Sequence, residues 1–422
     1  LRDDSPIVRR YLERTPRSAA AYARALRSLA GGTSRQAGHW LPHPLTIVAG
    51  RGARLTDLDG LEYLDVINNY TSLVHGHAWP PITAAIEAQI RQGTAWSAGN
   101  VPLVELAELI VARVPGIEEV RFTNSGTESA NLALLIARAV TGRQQVLMAK
   151  FGYHGSLHEF ELGHDGLEGP MTRIARFGDA DAFEQVLRDH GDRIAAVFLE
   201  PVMGSGGVVA AARPFLERVQ QAARRAGALF VLDEVITLRL GTGGLQGLLG
   251  ITPDLTLLGK IIGGGLPVGA VGGRREFMRV FQPPVPSVYH TGTFAGNPVT
   301  MAAGLVSLRE LTAERITAMD RLAERLDHGL RRAGEHAGVP VSVNRSGSLL
   351  QLFLSELPAA FLPERSDLEA IVRFHLAALN HGLFMAPRGM MALSTVMDEA
   401  MIDEITERAE RAIRDVASES RE

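Results

Sequence analysis

Apolar positions at helical spacing, Tyr11, Leu12, Tyr22, Ala25, Leu26 and Leu29, predict an amphipathic helical region over the first 30 residues. Gly31 and Gly32 end it. Short apolar runs at 45–48, 53–57 and 63–66, with an Asp59-Gly60 turn between the last two, predict a small hairpin-like β segment. From about Pro80 the pattern changes. Helical patterns at 102–114, 129–141, 180–189 and 214–226 alternate with nearly continuous apolar runs at 120–123, 145–149, 194–199, 229–232, 255–258 and 268–271. Runs without polar alternation belong to strands covered on both faces, so this stretch predicts an α/β domain around a parallel sheet. After Asn297-Pro298, helices are expected at 300–311 and 318–336, and strands near Val341 and at 349–354. A last helix, 398–416, carries Met401, Ile402, Ile405, Ala409, Ala412, Ile413 and Val416 on one stripe, the pattern of a packed face. The organisation expected is a large central domain, 76–300, and a smaller one built from both ends, 1–75 and 301–422.

Composition narrows the chemistry. With 46% hydrophobic and 21% charged residues and a formal net charge of -4, the chain suits a globular protein acting on small molecules rather than on nucleic acid. No apolar run reaches the ~20 residues of a membrane span, and the first ten residues lack a signal-peptide core, so a cytoplasmic location is expected. There is no cysteine, which removes disulfides, thiolate metal sites and thiol nucleophiles together, and no metal site is expected. Of 43 basic residues only Lys150 and Lys260 are lysines. Arginine forms no imine, so a lysine Schiff base has two possible sites.

Lys260 follows an apolar run and precedes Gly263, Gly264 and Gly265, where backbone can approach a bulky group closely; a Gly-rich loop with an extended surface lysine is the plain alternative. Asp233 and Glu234 end the run Leu229-Phe230-Val231-Leu232, and a carboxylate there faces a ligand crevice. Asp233 could keep the ring nitrogen of pyridoxal phosphate protonated. A metal-binding acid of a nucleotide hydrolase would need a Gly-Lys-Ser/Thr phosphate loop, which is absent. Ser125, Gly126 and Thr127, between a strand and an Ala- and Leu-rich helix, suit a phosphate dianion, although Ser125-x-x-Glu128 also reads as a capping box. Tyr153, in Phe151-Gly152-Tyr153-His154-Gly155, can stack on a planar ring or simply pack.

In order, Ser125-Gly126-Thr127-Glu128, Tyr153-His154-Gly155, Glu200-Pro201, Asp233-Glu234-Val235, Lys260 with its glycines, and Gly292-Thr293 resemble the class III aminotransferases, over roughly 31–394. The stretch 253–273 is similar to the glutamate-1-semialdehyde aminomutase branch, which includes β-amino-acid aminotransferases of the β-phenylalanine type. The resemblance implies fold type I, a mostly parallel seven-stranded sheet with a smaller α+β domain, and a homodimer with active sites at the subunit interface. It implies that Lys260 is the Schiff-base lysine, Asp233 the ring-nitrogen partner and Val235 a packing residue behind the ring. Ser125, Gly126 and Thr127 would hold the phosphate, Thr293 would reach it from the other subunit, Tyr153 would stack, and Glu200 would belong to the cofactor site. Arg35, after Gly31-Gly32-Thr33-Ser34, and Arg388, in Ala386-Pro387-Arg388-Gly389, match the substrate-carboxylate arginines of the β-amino-acid branch. Lys150 matches no catalytic position.

The expected activity is transfer of an amino group from a carboxylate-bearing amine, a β-amino acid first, to a 2-oxo acid. It would proceed through a Lys260 aldimine and pyridoxamine phosphate. The alternatives are an intramolecular aminomutase and an amino-acid epimerase. Two departures bear on the choice: Thr237-Leu238-Arg239 replaces the common Thr-Gly-Phe-Arg, and the aminomutases' pattern around a glutamate is not seen near Arg388.

Overall fold

The computed structural model describes residues 5–356 and 368–419. Two compact units account for the chain, one formed by Leu1–Trp79 with Thr317–Glu422 and the other by Pro80–Ile316. Among the described residues no helix is long and apolar enough to cross a membrane.

The central unit is built on a seven-stranded sheet in the order Glu119–Thr123, Gly269–Gly273, Leu255–Gly259, Leu229–Asp233, Ile194–Leu199, Gln145–Ala149, Thr172–Ala175. The inner strands Ile194–Leu199, Leu229–Asp233 and Leu255–Gly259 are buried at every position, as unbroken apolar runs require. Two features depart from expectation. Gly269–Gly273 runs antiparallel to both neighbours, and Thr172–Ala175 adds an edge strand that the sequence pattern did not mark. Helices cover the sheet. Arg213–Ala226 buries Phe215, Leu216, Val219, Ala222 and Ala223, an i, i+1, i+4, i+7, i+8 stripe, and ends at Gly227 in the left-handed conformation. Each such large apolar side chain contributes roughly 1.5–3 kcal/mol by leaving water.

In the other unit both chain ends share one sheet. Ile47–Arg51, Arg54–Asp57 and Glu62–Asp65 form an antiparallel meander, and Leu383–Phe384 adds to it in parallel. A second sheet joins Ser342–Ser346, Leu349–Phe353 and Met390–Ala392. Helices Pro6–Arg14, Leu368–Asn380 and Glu399–Glu419 pack together, and Ile402, Ile405, Ala409, Ala412, Ile413 and Val416 form the expected buried stripe. The N-terminal helix is not continuous. Pro16 has no N–H to give the preceding turn, so a second helix, Pro16–Ala25, starts there. Of its expected apolar face, Tyr11 is buried while Leu12, Leu26 and Leu29 are exposed.

Candidate active site

A parallel strand releases its chain at its carboxyl end, so residues just past such strands meet along one edge of the sheet. In the central unit that edge receives Ser125, Tyr153, Glu200, Asp233 and Lys260, each one to four residues past or at the end of its strand. Asp233, the last residue of Leu229–Asp233, is buried. Its Oδ1 accepts from the Val235 N–H at 3.0 Å, and its Oδ2 lies 2.8 Å from His154 Nδ1. A carboxylate only accepts, so the proton of that contact sits on Nδ1. His154 is itself buried, and its Nε2 has no hydrogen-bond partner. Sequence reasoning had His154 only as a letter in a motif; the pairing with Asp233, 79 positions away, is purely spatial.

Glu200 accepts from the backbone N–H of Tyr153 at 3.0 Å and of Gly204 at 3.1 Å, and so fixes the loop that carries Tyr153. Complete burial pushes its carboxyl up to about 7, a rise opposed by His154 and by the two N–H groups and reinforced by the charge of Asp233. As pH rises from 4.5 the unfolded chain ionises this group first, so its contribution to stability is full below that value and is lost on the way to about 7. Urea unfolding of a Glu200→Gln variant should therefore show a smaller loss of stability between about pH 5 and 7.5 than the parent, by roughly 2–3 kcal/mol at about 1.4 kcal/mol per unit. Identical slopes would refute the raised carboxyl.

Ser125 caps helix Gly126–Thr141, its Oγ accepting from Glu128 N at 3.1 Å, while Glu128 Oε2 accepts from Asn124 N at 2.8 Å. The capping arrangement thus forms. It leaves the N–H groups of Gly126 and Thr127 in the first turn, where no intrahelical partner exists, to face an anion. The turn sits directly on the antiparallel strand: a Cβ at Gly269 would lie 2.0 Å from the Ser125 carbonyl oxygen, so only glycine fits. Val235 packs against the same turn and against the end of the strand that precedes Lys260, since Cβ atoms built on Gly126 and Gly259 would lie 3.5 and 3.3 Å from it. Lys260 has φ +50, a left-handed conformation that costs a non-glycine residue on the order of 1–3 kcal/mol and that clusters at functional sites.

Tyr153 is half exposed, its ring meeting His164 edge-on at 5.4 Å. Thr293 is exposed in a stretch beside Asn124, where a Cβ on Gly292 would lie 3.5 Å from Asn124 Nδ2. Arg121 anchors that stretch by donating to His290 Nδ1 and the His290 carbonyl oxygen, both at 3.1 Å. Lys150 lies against the Phe151 ring, 4.6 Å from its centre. The altered loop after Val235 forms a turn, Leu238–Leu240, with Arg239 wholly buried, which pushes its guanidinium down to about 9. Glu234 ties this loop down, accepting from Thr237 Oγ1 and from Leu245 N and Gln246 N.

Arg35 and Arg388 belong to the other unit, and both side chains are exposed. Arg35 donates to Asn69 Oδ1 at 2.7 Å and stands 5.4 Å from the centre of the Tyr70 ring. Burial raises the Tyr70 phenol above its ordinary range, and the charges of Arg35 and of Arg388 both oppose that rise. Sequence reasoning missed Asn69 and Tyr70. They lie in a glycine-free run, Asn68, Asn69, Tyr70 and Thr71, whose φ values of +50, +49, +52 and +75 nothing but the asparagines hints at.

Comparison with known proteins agrees with this geometry. The family model described as Aminotransferase class-III matches residues 36–160 and 171–413. A glutamate-1-semialdehyde 2,1-aminomutase of Thermomicrobium roseum is 43% identical over 89% of this chain and 92% of its own. A solved transaminase with pyridoxal phosphate bound is 35% identical, with a TM-score of 0.92 over 97% of this chain and 99% of its own. A β-phenylalanine aminotransferase of Variovorax paradoxus is also 35% identical, with a TM-score of 0.89 over 95% and 94%. The relative's name favours the aminomutase alternative over the β-amino-acid transfer that sequence reasoning placed first. The donor set fits the cofactor: a helix start whose first-turn N–H groups have no intrahelical acceptor, a buried acid at a strand end, and a lysine on the same edge.

Proposed function

This chain belongs to the class III aminotransferases and uses pyridoxal phosphate, and from that premise we propose that it moves an amino group on a carboxylate-bearing substrate held by Arg35 and Arg388. The observation that carries the reading is the exposed Arg35, fixed 2.7 Å from Asn69 Oδ1 and 5.4 Å from the centre of the Tyr70 ring, a phenol on which the charge of Arg388 also acts. Guanidinium is the natural bidentate partner of a carboxylate. When bound, the cofactor supplies an electron sink for the carbon bearing the amino group. Lys260 would attach it and carry the proton at that carbon, and Asp233 would hold the proton on its ring nitrogen. Ser125, Gly126 and Thr127 would hold the phosphate, Tyr153 would cover the ring, Val235 would pack behind it, and Glu200 would fix the Tyr153 loop. Thr293 would serve the phosphate of a second subunit. Val285, Tyr289 and Phe294, all exposed near it, support a homodimer that covers them.

The first reading is intramolecular, with the amino group passing between adjacent carbons of one substrate as in the aminomutase relative. The second is transfer from a β-amino acid to a 2-oxo acid, supported by the β-phenylalanine aminotransferase likeness and by Arg388 standing where no aminomutase-type glutamate pattern occurs. Holoenzyme mixed with glutamate-1-semialdehyde and no 2-oxo acid separates them. The first reading expects many turnovers to the isomer with its amino group on C1. Consumption of a β-amino acid that depends on added pyruvate or 2-oxoglutarate, with no isomerisation, would overturn it in favour of the second.

Arg388→Ala should raise KM for carboxylate substrates about 10–100-fold, the scale of a hydrogen bond to a charged group, and leave amines without a carboxylate nearly unchanged. Equal losses for both substrate types in steady-state kinetics would make the residue structural.

A further inference from the structure

The backbone from Asn68 to Thr71 winds the wrong way. Four successive residues other than glycine hold positive φ, and the surroundings fix them there. Asp65 Oδ1 accepts from Ile67 N and Asn68 N, both at 2.9 Å, while Asp65 Oδ2 pairs with His77 Nε2 at 2.6 Å. Asn68 Nδ2 donates to the Ala392 carbonyl oxygen at 2.6 Å. A strained conformation so thoroughly supported has a use, and here its product is the placement of Asn69 and Tyr70 around Arg35.

The orientation of the Asn69 amide follows from its partners. Ser72 Oγ donates to the Asn69 carbonyl oxygen at 2.9 Å, so toward the Asn69 side chain, 3.0 Å away, it offers a lone pair and must meet the amide nitrogen. The amide oxygen is therefore the atom facing Arg35, which donates and cannot accept. Among the described residues no carboxylate pairs with Arg35, whereas other exposed arginines are neutralised: Arg325 by Asp403 and Arg218 by Asp181. An amide oxygen fixes the direction of a guanidinium without cancelling its charge. Building on the reading of Arg35 as a carboxylate binder, we propose that Asn69 determines specificity: its neutral acceptor holds Arg35 in place and leaves the full positive charge for the carboxylate of the incoming substrate. A carboxylate at position 69 would satisfy Arg35 from within and turn the enzyme away from acids.

The test compares two reagents that bleach the visible absorbance of the holoenzyme, aminooxyacetate, which carries a carboxylate, and methoxyamine, which does not. The readout is the ratio of their second-order rates. Asparagine and aspartate both tolerate the left-handed region, so Asn69→Asp changes charge with little change of backbone. Asn69→Asp and Arg35→Ala are each expected to lower the ratio at least tenfold. Asn69→Gly, which suits positive φ and adds no charge, should lower it less than fivefold and guards against a folding defect in the aspartate variant. A ratio lowered by Arg35→Ala but unchanged in Asn69→Asp would overturn the role of Asn69 and leave the Arg35 reading standing. An unchanged ratio in Arg35→Ala would remove both. Equal slowing of the two reagents in Asn69→Asp would assign Asn69 a merely structural part, and a fall in Asn69→Gly as large as that in Asn69→Asp would overturn the argument that the neutrality of the acceptor is what matters.

Discussion

Lys260→Ala is expected to reduce amino-group movement by more than about 1,000-fold and to abolish covalent retention of the cofactor after borohydride reduction. Two proposed roles would be lost together, the attachment of the cofactor and the proton carrier at the reacting carbon, and a positioned proton carrier alone contributes about 10²–10⁴. The other lysine, Lys150, lies against Phe151 at the start of a different loop. Mass spectrometry of the reduced parent enzyme should place the cofactor on Lys260. A label on Lys150, or near-normal turnover of the alanine variant, would sink the assignment. Phosphate-side binding should persist, because Ser125, Gly126 and Thr127 owe their positions to the helix start and to Gly269 rather than to the lysine.

That the lysine stood out before any fold was known has a physical reason. A chain that buries Leu255, Leu257 and Leu258 and then places a cation at the end of the strand has put charge where burial is costly, and the same anomaly marks Asp233 after Leu229–Leu232. Periodicity likewise revealed the inner strands, whose unbroken apolar runs have no other use. It was blind to Thr172–Ala175, an edge strand with Arg173 at its centre and only its ends buried. Strand direction was hidden too, since Gly269–Gly273 is as apolar as its neighbours and its antiparallel course is set by the length of the connection from Gly259. At the site, what could not be read was partnership. His154 pairs with Asp233, and Asn69 with Arg35, across sequence separations that no local pattern encodes. The turn at Asn68–Thr71 was the hardest case, because positive φ is ordinarily announced by glycine and here it is imposed by Asp65 and its partners.

Asp233→Asn is expected to cost on the order of 100-fold or more in kcat/KM while leaving the fold intact. Asparagine has the same shape, and one of its two ends can still accept from the Val235 N–H, as Oδ1 does at 3.0 Å. The other end would present an amide to His154, which can answer by moving its own proton from Nδ1 to Nε2, the nitrogen that has no partner in the parent. Packing and hydrogen bonding therefore survive, and only the negative charge is lost. That charge is what would hold a proton on the cofactor's ring nitrogen and make the ring an electron sink. The variant should bind the cofactor and show an altered pH dependence of its visible absorbance, with KM far less affected than kcat. An activity within about threefold of the parent and an unchanged spectrum would mean that Asp233 only anchors His154 and Val235. Removing His154 instead, as His154→Phe, should weaken kcat less than Asp233→Asn does, because it releases the carboxylate from its positioning partner but leaves the charge in place.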